Sequence, residues 1–160
     1  MGYELFITRT EDRHDPENNP ITQEEWNHFV ENHPDLYFSD DCDITIETNN
    51  ETGESYERQV YPAFHPDFEE YEVALWWRSE GQITQTSPNN RVIYLMAEIA
   101  KQLSAYVIGE ESERYFVESK EFADENISQY LIRVLMRRPR KTVIKQRILV
   151  KYPGKAVRFF

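Results

Sequence analysis

The sequence has a single cysteine, five scattered glycines and no long apolar run. One cysteine, Cys42, excludes an internal disulfide framework. The glycines form no phosphate-binding loop, and no Gly-x-Ser-x-Gly nucleophile motif occurs. No stretch approaches the roughly 20 apolar residues of a membrane span, and the first residues lack the basic and apolar regions of a signal peptide. These absences predict a cytoplasmic protein without a membrane segment.

Patterns for catalysis or metal binding are also missing. His28 and His33 are five residues apart, so they do not share a helix face as an i, i+4 pair would. The acidic run at 40–43 lacks the glycine and the distal glutamate of an EF-hand loop. Two His-Pro-Asp triplets, at 33–35 and 65–67, resemble the loop of J-domain cochaperones, but the helix before the first one, EEWNHFVEN, is acidic instead of basic. We interpret both triplets as turns. The sequence predicts no catalytic residue, metal or cofactor, and an unrecognised enzymatic site is left open as an alternative.

The length and composition favour one globular domain. A chain of 160 residues can bury one core, and its 14% aromatic content offsets a hydrophobic content of only 39%. We expect an α+β fold, in which an antiparallel sheet carries about three helices mainly on one face. Residues 1–117 would form an acidic core, and residues 118–160 would form a basic helix and strand packed onto it.

Three helices are predicted from caps and apolar periodicity. The first begins after Thr22, which forms a capping box with Glu25, and it ends before Pro34. The second follows Ser87-Pro88, a cap followed by proline at the first helical position, and has apolar residues at helical spacing from 92 to 103. The third would run from about Phe122 to Pro139.

Alternation of apolar and polar residues predicts the strands. They would cover residues 3–8, a hairpin around Ile44 and Ile46 that returns through Val60, a strand from Tyr71 to Trp77, a hairpin at 105–117 and a closing strand at 144–152. The hairpin at 105–117 has the acidic turn Gly109-Glu110-Glu111-Ser112-Glu113.

The charges are segregated along the chain. All 29 Asp and Glu lie in residues 1–125 together with 8 Lys and Arg, a net charge of −21, whereas residues 126–160 hold 10 Lys and Arg and no acid. This asymmetry predicts either a polyelectrolyte partner or docking of the basic part onto acidic neighbours, and we favour the docking.

Two sets of residues are candidate binding sites. The first set would contact a partner protein through carboxylates and one indole: Asp40, Asp41, Asp43, Glu110, Glu111, Glu113 and Trp76. The second set would hold phosphates of a nucleic acid or another anionic ligand: Arg137, Arg138, Arg140, Lys141, Lys145 and Arg147. Nucleic-acid binding is the less favoured alternative, because the acidic bulk of the chain repels polyanions.

Three strings resemble a known group of proteins: MGYELFI at the start, NPITQEEW at 19–26 and SPNNRVIYLMAEIAKQLSAYVIGEESERY at 87–115. They are similar to a bacterial family of small acidic domains associated with genes near secreted polymorphic toxins, and the similarity spans about residues 1–117. That family pattern would have glycine at Ser104 and a glycine-bearing turn at Ser112. The resemblance implies an immunity protein whose partner is a cognate toxin domain. We therefore expect a binder that occupies the cationic cleft of a toxin. The sequence leaves the oligomeric state open.

Overall fold

The computed structural model describes residues 2–122, 127–138 and 141–153. Two α-helices and eleven strands are present in these ranges, with one short 3-10 helix at Pro16–Asn18. In chain order the elements are β1 (Glu4–Thr8), α1 (Gln23–Asn32), β2 (Tyr37–Phe38), β3 (Asp43–Thr48), β4 (Ser55–Val60), β5 (Ala63–Phe64), β6 (Trp76–Arg78), β7 (Gln82–Thr86), α2 (Asn90–Gln102), β8 (Tyr106–Gly109), β9 (Arg114–Phe122), β10 (Ile127–Arg138) and β11 (Lys141–Pro153). The α+β class with an antiparallel sheet is confirmed.

One seven-stranded sheet organises the molecule. Its strand order is β11-β10-β9-β8-β1-β7-β6, and every pairing is antiparallel. Leu5, Ile7 and Ile83 are buried from this sheet together with Trp26 of α1 and Leu95 of α2. The core therefore lies between the sheet and the helices. No helix in the described ranges is long and apolar enough to cross a membrane.

Helix α1 begins as its sequence predicts. The Thr22 side chain accepts a hydrogen bond from the Glu25 N–H at 3.1 Å, which satisfies one of the free amides of the first turn. Ile21 and Trp26 are both buried, as a hydrophobic staple requires. Extended backbone at His33, just before Pro34, ends the helix.

Helix α2 is confirmed, but its predicted cap is wrong. The cap is Asn89, whose side chain accepts from the Val92 N–H at 2.9 Å. Ser87 has a positive φ of 50°, and its N–H donates to the carbonyl of Tyr3, just before β1. The helix ends with Ser104 at a φ of 54°. This left-handed residue lets the Ala105 N–H reach the Ala100 carbonyl at 2.8 Å, which closes the last turn.

The predicted third helix is wrong, because residues 127–138 form strand β10. Ile132 and Val134 are buried on the core side, while Leu131 and Leu135 are only half-buried, so the burial has a period of two. Strand β10 pairs with β9 on one side and β11 on the other. Two-sided pairing satisfies its backbone groups without a helix. The predicted boundary between residues 117 and 118 falls inside β9, and the described part of 118–160 continues the same sheet.

The predicted strand from Tyr71 to Trp77 is shorter in the structure. Tyr71 lies in a turn and is 85% exposed, and the regular strand begins at Trp76. The buried side chain of Gln85 holds residues 72–74, just before β6. Its oxygen accepts from the Ala74 N–H at 2.7 Å, and its amide donates to the Glu72 carbonyl at 3.1 Å. A side chain from β7 thus replaces part of the expected strand pairing.

Candidate partner-binding surface

The net negative charge belongs to one part of the chain. Residues 35–72, here called the acidic segment, contain 12 Asp and Glu and a single arginine, a net charge of −11 that equals the charge of the whole chain. The other residues carry 17 charges of each sign. The acidic segment lies between α1 and β6, and its strands form two separate two-stranded sheets, β2–β5 and β3–β4. Its buried residues Leu36, Val60, Ala63 and Phe68 belong to the main core. This segment therefore places a concentrated negative charge outside the main sheet.

The inner face of the β3–β4 hairpin rests on the body of the protein through Arg58. Its guanidinium donates to the Gln23 side chain of α1 at 2.8 Å and lies 5.1 Å from the ring centroid of Trp77. It also forms an ion pair with Glu47 at 2.9 Å. A hydrogen bond from Tyr56, assisted by Arg58, holds the pKa of Glu47 below its usual range. The hairpin is thus attached by directional contacts and not by flexible linkers alone.

The outer face of the hairpin is apolar at its centre. Ile44 is 57% exposed and Ile46 is 71% exposed, and their cross-strand partners are Gln59 and Glu57. Residues directly opposite each other in an antiparallel pair share a face. We call this surface, made of Ile44, Ile46, Glu57 and Gln59, the outer hairpin face.

Three predicted contact residues lie beside this surface. Asp40, Asp41 and Asp43 are exposed at the start of β3. Trp76 is half-buried and packs against the core, so it offers less of its indole than an open anchor would. Sequence reasoning missed the outer hairpin face, although the alternation of Ile44 and Ile46 marked the strand.

The prediction that Glu113 is an exposed contact is wrong, because this carboxylate is only 1% exposed. It accepts hydrogen bonds from the Tyr3 hydroxyl, from the Tyr115 hydroxyl at 2.9 Å and from the Glu111 N–H at 3.0 Å. Burial and the bond to Glu113 both raise the pKa of Tyr3 and of Tyr115. A Cβ at Gly109 would overlap the Glu113 carboxylate, so any other residue there would displace this side chain from its hydrogen bonds. Glu113 holds the β8–β9 turn together, and no local pattern distinguishes it from its acidic neighbours.

The basic C-terminal strands lie beside carboxylates of the sheet. Lys145 forms an ion pair with Glu111 at 2.6 Å, and Arg147 bonds to Glu118 at 3.1 Å. The Lys145 ammonium lowers the pKa of Glu111. Among the other basic candidates, Lys141 is exposed, Arg137 and Arg138 lie in β10, and Arg140 lies outside the described residues. Where it is described, this pairing agrees with docking onto acidic neighbours.

The two His-Pro-Asp triplets lie near the two ends of the acidic segment. His33 is buried, and its Nδ1 accepts from the N–H groups of Asp35 and Leu36, each at 3.1 Å. His65 is also buried, and its Nδ1 accepts from the Asp67 N–H at 3.1 Å. Its Nε2 is 4.0 Å from the Asp35 carboxylate, so the two turns are neighbours. Burial lowers the pKa of both imidazoles, which matches a neutral Nδ1 acceptor.

Within the described ranges, no three His, Cys, Asp or Glu side chains are grouped in a way that could hold a metal ion. No protein-family model, curated protein or solved structure matches this chain. The charge and shape of its surfaces are therefore the features that bear on its function.

Proposed function

We propose that this protein is an immunity-type binder that neutralises a cognate bacterial toxin by occupying its cationic active-site cleft. The observation that carries the proposal is the location of the charge: a net −11 on residues 35–72, displayed outside the main sheet. The outer hairpin face adds exposed isoleucines within the same segment.

The charge of a toxin's active site supports the proposal. An enzyme that attacks nucleic acids, nucleotides or other anionic substrates needs a cationic cleft, because its substrate is negatively charged. An acidic protein of complementary shape can fill such a cleft without any chemistry of its own. Electrostatic steering then speeds the encounter, and neutralisation follows from occupancy.

Nucleic-acid binding through the basic strands is the alternative, and no observation in the described residues favours it. Lys145 contacts the carboxylate of Glu111 in the β8–β9 turn, and Arg147 contacts that of Glu118 in β9. A phosphate would have to displace these carboxylates before it could bind there. The immunity-type function is therefore the better supported of the two.

Co-expression tests the proposal directly. The toxin-like domain encoded beside this gene is expressed from an inducible promoter with and without this protein, and growth is measured. We expect the protein to restore growth and, when purified, to inhibit the activity of the purified domain. Growth arrest that continues despite full expression of the protein would refute the proposal, as would a neighbouring gene without such a domain.

Charge variants test whether the acidic segment is responsible for fast association with the toxin. Replacing Asp40, Asp41 and Asp43 by asparagine should slow association about tenfold at low salt and reduce its salt dependence. The matched control replaces three exposed glutamates outside the segment, Glu17, Glu24 and Glu31, by glutamine. The control removes the same charge and should change the association rate much less.

A further inference from the structure

We propose that the outer hairpin face is the docking surface for the partner, and that the partner is a protein with an apolar centre ringed by Lys and Arg. This inference rests on the proposed function and assigns the surface that performs it. Ile44 and Ile46 would be its apolar anchors.

The register of the hairpin places the anchors side by side. Ile44 pairs with Gln59 and Ile46 pairs with Glu57, so the two isoleucines form a continuous apolar strip along β3. The opposite face contains Arg58 and the buried Val60, and it contacts α1 and Trp77. The hairpin therefore has an attached face and a free apolar face.

These isoleucines add little to the fold, because more than half of each side chain remains in water. Single exposed apolar residues are common on proteins, but neighbouring β-branched residues on an edge hairpin favour unwanted pairing with other chains. A surface of this kind is typical of an interaction site.

The surroundings of the strip resemble the rim of a protein interface. Glu57 lies on the same face of the hairpin, Asp40 and Asp41 lie just before the hairpin, and all three are exposed. Asp43 is also exposed, at the start of β3 on the opposite face. Apolar anchors surrounded by a polar rim are the usual anatomy of a specific interface. The rim here is acidic, so the matching rim on the partner is basic.

The same charge argues against other occupants. Two copies docked hairpin to hairpin would bring together two segments that each carry −11, and like charges across an interface oppose association. Nucleic acids and anionic membranes are repelled for the same reason. A basic protein is the occupant that the charge favours.

The hairpin is also held in place before binding. The Gln23 amide donates to the Gln59 carbonyl at 3.0 Å, and Arg58 bonds back to the Gln23 side chain. A surface fixed in this way loses less conformational entropy on association than a free loop would. Affinity at this face therefore depends on the two isoleucine anchors more than on folding of the hairpin.

The test compares two matched double variants against the toxin domain encoded by the neighbouring gene. Ile44→Thr with Ile46→Thr removes the apolar strip but keeps β-branched side chains. The control, Ile144→Thr with Leu149→Thr, makes a similar change on β11, where these residues are 42% and 52% exposed. Kd is measured by surface plasmon resonance, and the thermal unfolding midpoint is measured to show that both variants fold.

We expect the hairpin variant to bind about 100-fold more weakly, about tenfold for each anchor, mainly through faster dissociation. The control should bind within about twofold of the wild type. Unchanged affinity of the hairpin variant would overturn this inference and leave the proposed function standing. Absence of wild-type binding would refute the proposed function and this assignment together. A wild-type dimer in light scattering that the hairpin variant dissociates would show that a second copy occupies the face.

Discussion

Replacing Ser104 by glycine should stabilise the protein, because Ser104 has a φ of 54° at the end of α2. A non-glycine residue in the left-handed region costs about 1–2 kcal/mol. Glycine removes this cost but gives the unfolded chain more freedom, worth about 0.5–1 kcal/mol. The expected net gain in the free energy of unfolding is therefore about 0.5–1 kcal/mol, equivalent to a rise of about 1–4 °C in Tm for a chain of this size.

Urea unfolding monitored by circular dichroism measures this gain. The slope of the unfolding free energy against urea should stay constant, since the substitution changes no buried area. The matched control is Ser55→Gly in β4, where the backbone is ordinary strand and glycine should cost about 0.5–1 kcal/mol. A loss of stability in S104G equal to that in S55G would refute the left-handed conformation and the closing bond between Ala105 and Ala100.

Three further predictions follow from buried polar groups and the hairpin attachment. Glu113→Gln should lower the free energy of unfolding by about 1–3 kcal/mol, because an amide cannot accept all three hydrogen bonds that the carboxylate accepts. Stability should fall as the pH is lowered from 7.5 to 5, since burial holds the pKa values of His33 and His65 below 6.5 and the unfolded state then binds more protons than the folded state. Arg58→Ala should speed amide hydrogen exchange across residues 43–60 more than elsewhere, because it removes the contacts of the guanidinium with the Gln23 side chain and the Trp77 ring.

Each of these predictions has a contrary result. Full stability of E113Q in urea would show that the β8–β9 turn does not depend on the carboxylate. For the histidines, urea midpoints of H33Q and H65Q should vary less with pH than that of the wild type, whereas H14Q, at an exposed position, should follow the wild type. A uniform increase in exchange over the whole chain of R58A would mean that Arg58 supports the global fold instead of the hairpin.

Local signals were sufficient for both observed helices. The Thr22 capping box and the apolar spacing from Val92 to Leu103 depend on contacts within a few residues, so the sequence alone reveals them. Ser104 and Ser112 both have a positive φ, a conformation that glycine adopts without strain. Only the exact cap of α2 was missed, because Ser87 and Asn89 are both good caps.

The failure at residues 127–138 has a physical cause. Leu131, Val134 and Leu135 fit a helical stripe, but the same stretch also places Ile132 and Val134 on one side of a strand. The choice between these periods depends on pairing partners, and the strands directly before and after this stretch, β9 and β11, pair with it on both sides. Tertiary pairing thus decided an ambiguity that periodicity could not resolve.

The hairpin shows why the candidate surface could not be predicted. Alternation of Ile44 and Ile46 with polar residues normally means that the apolar side faces the core. Here the polar side faces inward, because Arg58 finds Gln23 and the face of Trp77 to bind. The isoleucines consequently point outward, an inversion that the sequence pattern alone does not reveal.

The charge distribution in space also differs from the distribution along the chain. Along the chain, the sign changes near residue 125, but in space Lys145 and Arg147 lie about 3 Å from Glu111 and Glu118 and cancel them locally. Charges cancelled at such short range contribute little beyond a Debye length, about 8–10 Å at ordinary salt. The acidic segment has only Arg58 to offset its carboxylates, and that guanidinium is already paired with Glu47. An approaching cationic protein therefore meets a concentrated negative charge on residues 35–72, which is the part of the chain that also displays Ile44 and Ile46.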